Sequence, residues 1–430
     1  DYNPLHLDKV LSRRLLFGSS VVHGIHLLLW SLDSWLGQKK EKVNLEKIKV
    51  SFTKPISVEE EVILYLVKEQ DNQVIMELKC GGLITTKIQF GWQKLEEENV
   101  DDIKFDFPKK SQSRVVLAEE IESQSGNLNL YLNRHSSSNM FPNLSDYFSQ
   151  LQTSLFLSST RLVGTKCPGL YSIYTELSLS FGIANKCKKL EYKVKRFNKR
   201  FGMISMNISA PSAEGHIQAL IRPKERKQST FLEIKEKVKK DEFKHQSALI
   251  IGGSRGLGEV TAKILAAGSA DVKLTYHQGE KDAKIIVKEI RANDAIADCI
   301  QYDALSPNVD SFQNKLKNWR PTHLYYFATP FIFNGRKGTF SFENFIRFCD
   351  YYVSGFKKII DILEPSELKN IFYPSSVAIK ELPPDMSEYV AAKLAGETFC
   401  AFHEKNYNGV TIYRPRLPRL DTDQTVSILP

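Results

Sequence analysis

Residues 247–268 read SALIIGGSRGLGEVTAKILAAG, and this stretch decides the fold of the C-terminal part of the chain. Its apolar beginning predicts a buried strand, and its spaced apolar residues after the glycines predict an amphipathic helix. Between them lie Gly252, Gly256 and Gly258, spaced G-x-x-x-G-x-G. Glycine permits a positive φ and lets the backbone approach a pyrophosphate at a helix N-terminus. Such turns also occur for packing alone. The glycines therefore indicate a cofactor site only if other residues of the sequence point to one.

The sequence after this turn alternates short apolar runs with helical segments. This βαβ pattern predicts an α/β Rossmann domain, a doubly wound parallel sheet, over residues 246–430. Residues 226–245, just before it, are rich in Lys and Glu and predict a charged linker.

A second motif lies in residues 370–397, NIFYPSSVAIKELPPDMSEYVAAKLAGE. Tyr389 and Lys393 are four residues apart and share a helix face, and Ser376 lies at the end of a predicted strand. A nearby ammonium can lower the pKa of a tyrosine hydroxyl, ordinarily about 10, and a serine hydroxyl can hold a carbonyl group. A lone Y-x-x-x-K pair is usually a solvated helix face. Combined with the serine and the glycine turn, it favours a catalytic trio.

Together these motifs resemble the short-chain dehydrogenase/reductase family over nearly all of residues 246–430. The resemblance implies that Ser376, Tyr389 and Lys393 are catalytic and that a nicotinamide dinucleotide is bound. The cofactor-binding residues that it implies are Gly252, Ser254, Arg255, Gly256, Leu257, Gly258, Asp303, Tyr389 and Lys393. The second predicted strand, in VKLTYHQGE, lacks the terminal carboxylate that would repel a 2′-phosphate. With Arg255 nearby, we expect NADPH rather than NADH.

Several positions depart from that family's pattern. Its N-A-G sequence after the fourth strand reads FATP at 327–330, and its helix asparagine, which supports the lysine through a water, is replaced by Tyr351 or Tyr352. The P-G after the sixth strand reads Pro415-Arg416. We therefore expect an altered proton relay around an intact Ser-Tyr-Lys trio.

The first 225 residues have a different organisation. A helical segment followed by strand-like segments of period two occupies residues 1–95, and the same order recurs over residues 146–225. Residues 96–145 are polar and predict a connecting segment. The recurrence predicts two copies of an α+β unit.

The chain begins with DYNPLHLDKVLS, in which Asp1 and His6 flank an Asn-Pro break. A carboxylate and an imidazole that converge can take a proton from water and deliver one to the Cα of a double bond. An isolated cluster of this kind is usually a capped turn.

With the following LLFGSSVVHGIHLLLW, however, this motif resembles the MaoC-like (R)-specific enoyl-thioester hydratases, which have a hotdog fold. The resemblance implies that Asp1 and His6 form the catalytic pair. We expect Asn3 to hold the loop and the Gly24 N–H to stabilise the thioester oxyanion. We also expect the natural protein to extend upstream of Asp1.

The second copy lacks the D-x-N-P-x-H motif, so we interpret it as a degenerate half that completes a double hotdog and shapes an acyl tunnel. The leading hypothesis is a bifunctional enzyme. It reduces a 3-ketoacyl thioester to the 3-hydroxyacyl thioester with NADPH and dehydrates that product to the 2-enoyl thioester, or catalyses the reverse hydration. Coenzyme A or an acyl carrier protein would carry the acyl group. The alternative is a reductase alone, whose hotdog domains bind the acyl chain or carrier without catalysis.

Composition bears on the remaining possibilities. The net charge of +9 is spread along the chain and suits anionic cofactors or an acidic carrier, and no motif favours nucleic acid. Six scattered cysteines predict reduced thiols in a cytoplasmic protein and no metal site. No stretch reaches the roughly 18–20 apolar residues of a membrane helix, and no secretory signal is found. Both predicted folds commonly pair, so we expect a homo-oligomer, most simply a dimer.

Overall fold

The computed structural model describes residues 3–94, 105, 113–185, 187–333, 335, 337–363, 367–406 and 409–425. The chain divides into two units. Among the described residues, the first unit extends to Lys224 and the second begins at Glu225.

The first unit is built on one antiparallel sheet. Its described residues form nine strands in the order β2-β3-β4-β1-β6-β9-β8-β7-β5. The strands are β1 (Val43–Phe52), β2 (Val62–Gln70), β3 (Gln73–Cys80), β4 (Leu83–Lys94), β5 (Ser125–Leu128), β6 (Ser172–Phe181), β7 (Leu190–Asn198), β8 (Met203–Ala210) and β9 (Ala213–Ile221). The helices are α1 (Pro4–Leu7), α2 (Lys9–Ser12), α3 (Gly24–Lys39), α4 (Arg134–Met140), α5 (Pro142–Tyr147) and α6 (Gln150–Arg161), with a 3-10 helix at Ala118–Ser123 and a π-helical turn at Leu162–Lys166.

This sheet contains the same arrangement twice. Helix α3 precedes four strands in the spatial order β2-β3-β4-β1, and α6 precedes four in the order β7-β8-β9-β6. The two sets join where β1 pairs antiparallel with β6, from Lys47 opposite Ser180 to Ser51 opposite Glu176. This order agrees with the two copies of an α+β unit expected from the sequence.

Helix α6 is buried although its sequence is polar. Ser154, Ser158 and Ser159 are buried, and each hydroxyl donates a hydrogen bond to a backbone carbonyl three or four residues earlier. Because these hydroxyls are satisfied within the helix, their burial leaves no unpaired polar group. The Gln152 amide donates to the Leu45 carbonyl at 2.8 Å and accepts from the Leu45 N–H at 2.9 Å. The helix of the second repeat is thereby tied to a strand of the first.

The described part of the predicted connecting segment also packs into the first unit. From residue 113 onward it supplies β5, which pairs antiparallel with β7. Leu128, Phe141 and Leu144 are buried in the same core as the two long helices. Most of residues 95–112 lie outside the described residues.

The second unit contains the predicted parallel sheet. Its described strands form a six-stranded parallel sheet in the order β12-β11-β10-β13-β14-β16, and β15 pairs with β17. The strands are β10 (Ser247–Ile251), β11 (Asp271–Tyr276), β12 (Ala297–Gln301), β13 (His323–Tyr326), β14 (Asn370–Phe372), β15 (Ser375–Ser376), β16 (Thr411–Tyr413) and β17 (Arg416–Leu417). The first strand, β10, lies between β11 and β13, so the strand order reverses there and opens a crevice at the carboxyl ends.

Helices cover this sheet, and two shorter helical segments, a π-helical turn and a 3-10 helix, contribute residues to the candidate site. The helices are α7 (Phe231–Lys235), α8 (Gly256–Ala267), α9 (Glu280–Arg291), α10 (Val309–Leu316), α11 (Phe342–Cys349), α12 (Phe356–Leu363), α13 (Ala378–Glu381) and α14 (Ser387–Asn406). A π-helical turn, Asp350–Gly355, joins α11 to α12, and a 3-10 helix lies at Asp423–Thr425.

The segment 226–245, expected to be a linker, belongs to the second unit. Phe231 at the start of α7 is buried with residues of β10 and α8, and its N–H donates to the Glu289 carboxylate at 2.6 Å. The segment rich in Lys and Glu therefore contains a short amphipathic helix.

Membrane spans and metal clusters are both absent from the described residues. None of their helices combines the length and the apolar character needed to cross a bilayer. The described residues contain no group of three or more His, Cys, Asp or Glu side chains that could hold a metal ion.

Candidate active sites

The glycine turn lies at the carboxyl end of β10, at the point where the strand order reverses. Gly252 has a φ of +81°, and a Cβ there would lie 3.0 Å from the peptide that joins Phe327 to Ala328. A Cβ on Gly258 would lie 2.2 Å from the Gly252 carbonyl oxygen, so glycine is required for α8 to pack this closely. Gly256 has a φ of +55°, and its Cβ would meet nothing nearer than 3.6 Å. The nearest of these atoms is Oδ1 of Asp423, so the glycine turn brings the N-terminus of α8 close to a carboxylate.

The residues around this turn carry an ion pair that the sequence did not indicate. Arg255 Nη1 lies 2.7 Å from Asp423 Oδ2, and the Asp423 side chain is almost fully buried. Ser254 is buried and Leu257 half-buried within the turn. The guanidinium expected to face a 2′-phosphate is therefore already paired with a carboxylate from the end of the described chain.

Asp303, expected near the adenine, follows β12. Its Oδ1 accepts the Leu305 N–H at 2.9 Å and lies 3.4 Å from Nδ1 of His277. His277 follows β11, where an acidic residue would repel a 2′-phosphate. The sequence already shows that no carboxylate follows this strand, but only the structure shows that the His277 imidazole lies beside Asp303.

The predicted trio of Ser376, Tyr389 and Lys393 converges in the second unit. Ser376 ends β15, and its side chain hydrogen-bonds that of Tyr389 on α14. Lys393 lies one turn further along α14, and its Nζ donates to the Pro374 carbonyl at 2.8 Å. The short strand and the long helix thus bring the three side chains together.

Burial controls the electrostatics of this trio. It lowers the pKa of Lys393 to about 7. It raises the pKa of Tyr389, although the hydrogen bond to Ser376 acts in the opposite direction. The sequence had predicted a lowered tyrosine pKa, and the structure reverses that sign because desolvation of the phenolate outweighs the favourable contact. Tyr389 therefore carries its proton at neutral pH.

The departures from the family pattern lie beside this lysine. Tyr352, rather than Tyr351, faces it: Lys393 Nζ is 3.9 Å from the centroid of the Tyr352 ring. The Tyr352 hydroxyl lies 2.6 Å from Oγ1 of Thr329, in the FATP sequence. The structure thereby decides between the two tyrosines that the sequence left open.

Arg416, which stands in place of a glycine, also has a defined partner. Its Nε and Nη2 donate to the two carboxylate oxygens of Glu397 at 2.8 and 2.7 Å. Glu397 accepts a further hydrogen bond from Ser375, and the Arg416 contact lowers the pKa of its carboxyl. This network holds β15, and with it Ser376, against α14.

In the first unit, His6 is positioned by a short capped helix. Asn3 accepts the Leu5 N–H at 3.1 Å and caps α1, and this contact confirms that Asn3 holds the loop. Nδ1 of His6 lies 2.7 Å from the Val21 carbonyl oxygen. Because a carbonyl only accepts, Nδ1 carries the proton and Nε2 carries the lone pair. Asp1, the predicted partner, lies outside the described residues.

A second imidazole stacks on His6. The ring centroids of His6 and His23 are 3.6 Å apart. Burial, followed by the neighbouring charge of His23, lowers the pKa of His6 to about 3, and burial lowers that of His23 to about 4. Both rings are therefore neutral across the physiological range.

Gly24, the expected oxyanion donor, is the first residue of α3 and directly follows His23. A Cβ on Gly24 would lie 2.9 Å from the Phe52 ring. Packing against Phe52 thus requires a glycine here whatever the chemistry, while the position places a helix-terminal N–H next to the imidazole pair.

The second repeat reaches into this site, which sequence reasoning did not foresee. The Leu170 carbonyl accepts hydrogen bonds from Asn3 Nδ2 at 2.9 Å and from Arg222 Nη2 at 3.1 Å. Arg222 is buried, lies over the Tyr171 ring, and its charge contributes to the low pKa of His6. No acid–base motif marks these residues; the only sequence signal is an arginine that ends an apolar strand.

Comparison with known proteins agrees with the N-terminal assignment. Residues 1–87 match the family model described as a MaoC like domain, which confirms the MaoC-like prediction for this part of the chain. No curated protein matches the chain.

Several solved structures are similar to part of this chain. One similar structure is a short chain dehydrogenase from Burkholderia cenocepacia J2315 in complex with NADP, with 25% identity over 40% of this chain and 74% of that chain and a TM-score of 0.36. Another is a 3-oxoacyl (acyl-carrier-protein) reductase from Agrobacterium tumefaciens C58 with NADP bound, with 16% identity over 43% and 74% of the two chains and a TM-score of 0.39. A third is an alcohol dehydrogenase from the archaeon Thermococcus sibiricus complexed with 5-hydroxy-NADP, with 20% identity over 41% and 77% and a TM-score of 0.37.

Proposed function

We propose that the second unit is a short-chain dehydrogenase/reductase that reduces a 3-ketoacyl thioester with NADPH. The observation that carries the proposal is the convergence of Ser376, Tyr389 and Lys393 beside the crevice of a parallel sheet. A hydroxyl pair with a buried amine one helical turn away is equipped to protonate a carbonyl oxygen.

The glycine turn fits a dinucleotide. Gly256 begins α8, and the N-terminus of a helix is where a pyrophosphate binds favourably, although Asp423 Oδ1 lies 3.6 Å from the position of a Gly256 Cβ. Arg255 and His277 would hold a 2′-phosphate, Asp303 would hold the adenosine end of the cofactor, and Lys393 would hold the nicotinamide ribose. When bound, NADPH supplies the hydride.

The roles of the trio follow from its electrostatics. Ser376 donates a hydrogen bond to the substrate carbonyl oxygen and orients it. Tyr389, which is protonated at neutral pH, delivers its proton to that oxygen as negative charge develops there. The Lys393 ammonium stabilises the phenolate that Tyr389 becomes. A raised tyrosine pKa favours the reducing direction, because the proton must be present before transfer.

For the first unit we propose a double hotdog that dehydrates the 3-hydroxyacyl thioester or hydrates the 2-enoyl thioester. The match of residues 1–87 to a MaoC like domain and the twofold strand order support this proposal. In hydration, Nε2 of His6 takes a proton from water as the oxygen bonds to Cβ, with Asp1 as the carboxylate partner. The electron pair of the double bond moves toward the thioester carbonyl, and the proton taken from water is then delivered to Cα. The Gly24 N–H would stabilise the charge on the thioester oxygen.

The two reactions share an intermediate, since the product of reduction is the substrate of dehydration. The alternative is that the hotdog repeats bind the acyl chain or its carrier without catalysis. The contact of His6 Nδ1 with the Val21 carbonyl favours the catalytic account, because it fixes the tautomer and leaves Nε2 able to accept a proton.

Product analysis tests this function. The full chain is incubated with NADPH and a 3-ketoacyl-CoA, and the acyl products are identified by mass spectrometry. We expect both the 3-hydroxyacyl and the 2-enoyl thioester. A 3-hydroxyacyl product alone would support the binding-module alternative, and no reduced product with either coenzyme A or carrier-protein substrates would reject the reductase assignment.

A further inference from the structure

Two residues of the second unit that depart from the family pattern are hydrogen-bonded to each other. Thr329 lies in the loop after β13, and Tyr352 lies on the π-helical turn Asp350–Gly355. Their hydroxyl oxygens are 2.6 Å apart, and Tyr352 is only 1% exposed. The tyrosine hydroxyl is therefore anchored, which fixes the orientation of its ring.

That ring lies against the ammonium of Lys393. Nζ is 3.9 Å from the Tyr352 centroid and 5.1 Å from that of Tyr373, and it donates to the Pro374 carbonyl. A cation over an aromatic face within about 6 Å is attracted by the ring quadrupole, and more strongly when water is excluded. The same Tyr352 ring packs edge-on against Tyr389, with centroids 5.8 Å apart.

The charged and titratable groups around Lys393 are few. On its own helix they are Tyr389, Glu397 and Cys400, and the carboxylate of Glu397 is engaged by Arg416. Tyr352 and Tyr373 face it from the π-helical turn and from the residue after β14. The closest of the ring contacts is therefore the one made by Tyr352.

We propose that Tyr352, anchored by Thr329, is a positioning residue that holds the Lys393 ammonium against its ring face and fixes the Tyr389 ring beside it. This role rests on the proposed reductase function. It replaces the water-mediated support that the family resemblance assigns to an asparagine. The ring, rather than the hydroxyl, is the part that acts on the lysine.

Three variants separate ring from hydroxyl. Tyr352→Phe keeps the ring and removes its anchor, Thr329→Val removes the anchor from the other side, and Tyr352→Leu removes the ring. Loss of the ring should lower the pKa of folded Lys393 by about one unit, because only the charged amine gains from the ring face. Tyr352→Phe and Thr329→Val should resemble each other and show a smaller effect than Tyr352→Leu, because they release the ring from its anchor but keep it beside Lys393.

The first measurement needs no ligand. Lys393 has an ordinary pKa of 10.5 when unfolded and about 7 when folded, so its charge destabilises the fold increasingly as pH falls from 10.5 to 7, and the effect is constant below 7. In Tyr352→Leu this fall should continue to about pH 6. Thermal midpoints of the full chain from pH 5.5 to 8 should therefore diverge for Tyr352→Leu and run parallel for Tyr352→Phe.

The second measurement is kcat for 3-ketoacyl thioester reduction against pH. We expect Tyr352→Phe to retain activity within about threefold and Tyr352→Leu to lose about tenfold at pH 7, with its basic limb moved down by about one unit. Equal loss in both variants, or none in either, would overturn the proposal. If the unaltered chain shows no reduction, the proposed function fails, and the thermal comparison still decides the role of Tyr352.

Discussion

His6 in the first unit and Lys393 in the second are both buried bases, and the same physical cause acts on them with opposite consequences. Burial lowers the pKa of His6 from 6.5 to about 3 and that of Lys393 from 10.5 to about 7. The imidazole is thereby kept neutral throughout the physiological range. The amine is instead moved into that range, where small changes in its surroundings alter its charge.

The contacts of the two groups suit these different states. The Val21 carbonyl fixes the proton of His6 on Nδ1 and leaves a neutral base at Nε2. The Pro374 carbonyl and the Tyr352 ring both favour the charged form of Lys393. The Val21 contact on its own favours the charged form of His6, and burial outweighs it, so the balance of burial and local contacts sets the protonation state of each group.

The largest effect is expected at the proposed reductase site of the second unit. Tyr389→Phe should lower 3-ketoacyl thioester reduction by about 10²–10⁴-fold, because no other group replaces its proton. NADPH binding, followed by fluorescence titration, should persist. Tyr413→Phe, at an exposed position, is the matched control. Unchanged turnover in Tyr389→Phe would reject the assignment.

A smaller loss is expected in the other half. His6→Gln should lower 2-enoyl thioester hydration by about 10²–10³-fold while reduction is unaffected, since Nε2 is the base that we propose. Hydration is followed by the loss of enoyl thioester absorbance. His135→Gln provides an exposed histidine control. Hydration that survives in His6→Gln would show that the base lies elsewhere.

The pH dependence of the two activities should differ. The Lys393 ammonium is present below about pH 7 and is lost as pH rises through that value, so kcat for reduction should fall across this range. Hydration should show no His6 titration between pH 5 and 8, because that group ionises only near pH 3. Both activities are measured on one preparation in the same buffers. A hydration limb near pH 6.5 that His6→Gln removes would contradict the neutral-base account.

The smallest expected effect concerns the ion pair at the glycine turn. Asp423→Asn should tighten NADPH binding by about 3–10-fold. The positive charge of Arg255 is then no longer neutralised by a carboxylate and attracts a 2′-phosphate more strongly. NADH binding should change less. Asp421→Asn, which alters an exposed carboxylate paired with Arg226, is the control. Weaker NADPH binding in Asp423→Asn would show that this carboxylate supports the site rather than competing for Arg255.

Much of the second site was predictable because its parts are local in sequence. The glycine turn is a continuous strand–turn–helix, and Tyr389 and Lys393 share a helix face by spacing alone. The hydrogen bond between Thr329 and Tyr352 was not predictable. In the sequence each residue is a separate departure from the family pattern, and only the fold brings the two together. The sign of the Tyr389 pKa shift was wrong for a related reason: spacing identifies a neighbouring charge but not how much water surrounds it.

By itself, the sequence determined most of the local elements, that the α+β unit occurs twice, and which side chains can act as acid or base; it missed α7 in the expected linker and β5 in the expected connecting segment. These depend on periodicity and short-range geometry. The tertiary structure alone decided that Leu170 and Arg222 meet the loop of Asn3 and His6, and that Asp423 meets Arg255. Contacts between residues far apart in the chain, and the burial that sets each pKa, arise only when separate elements pack and exclude water.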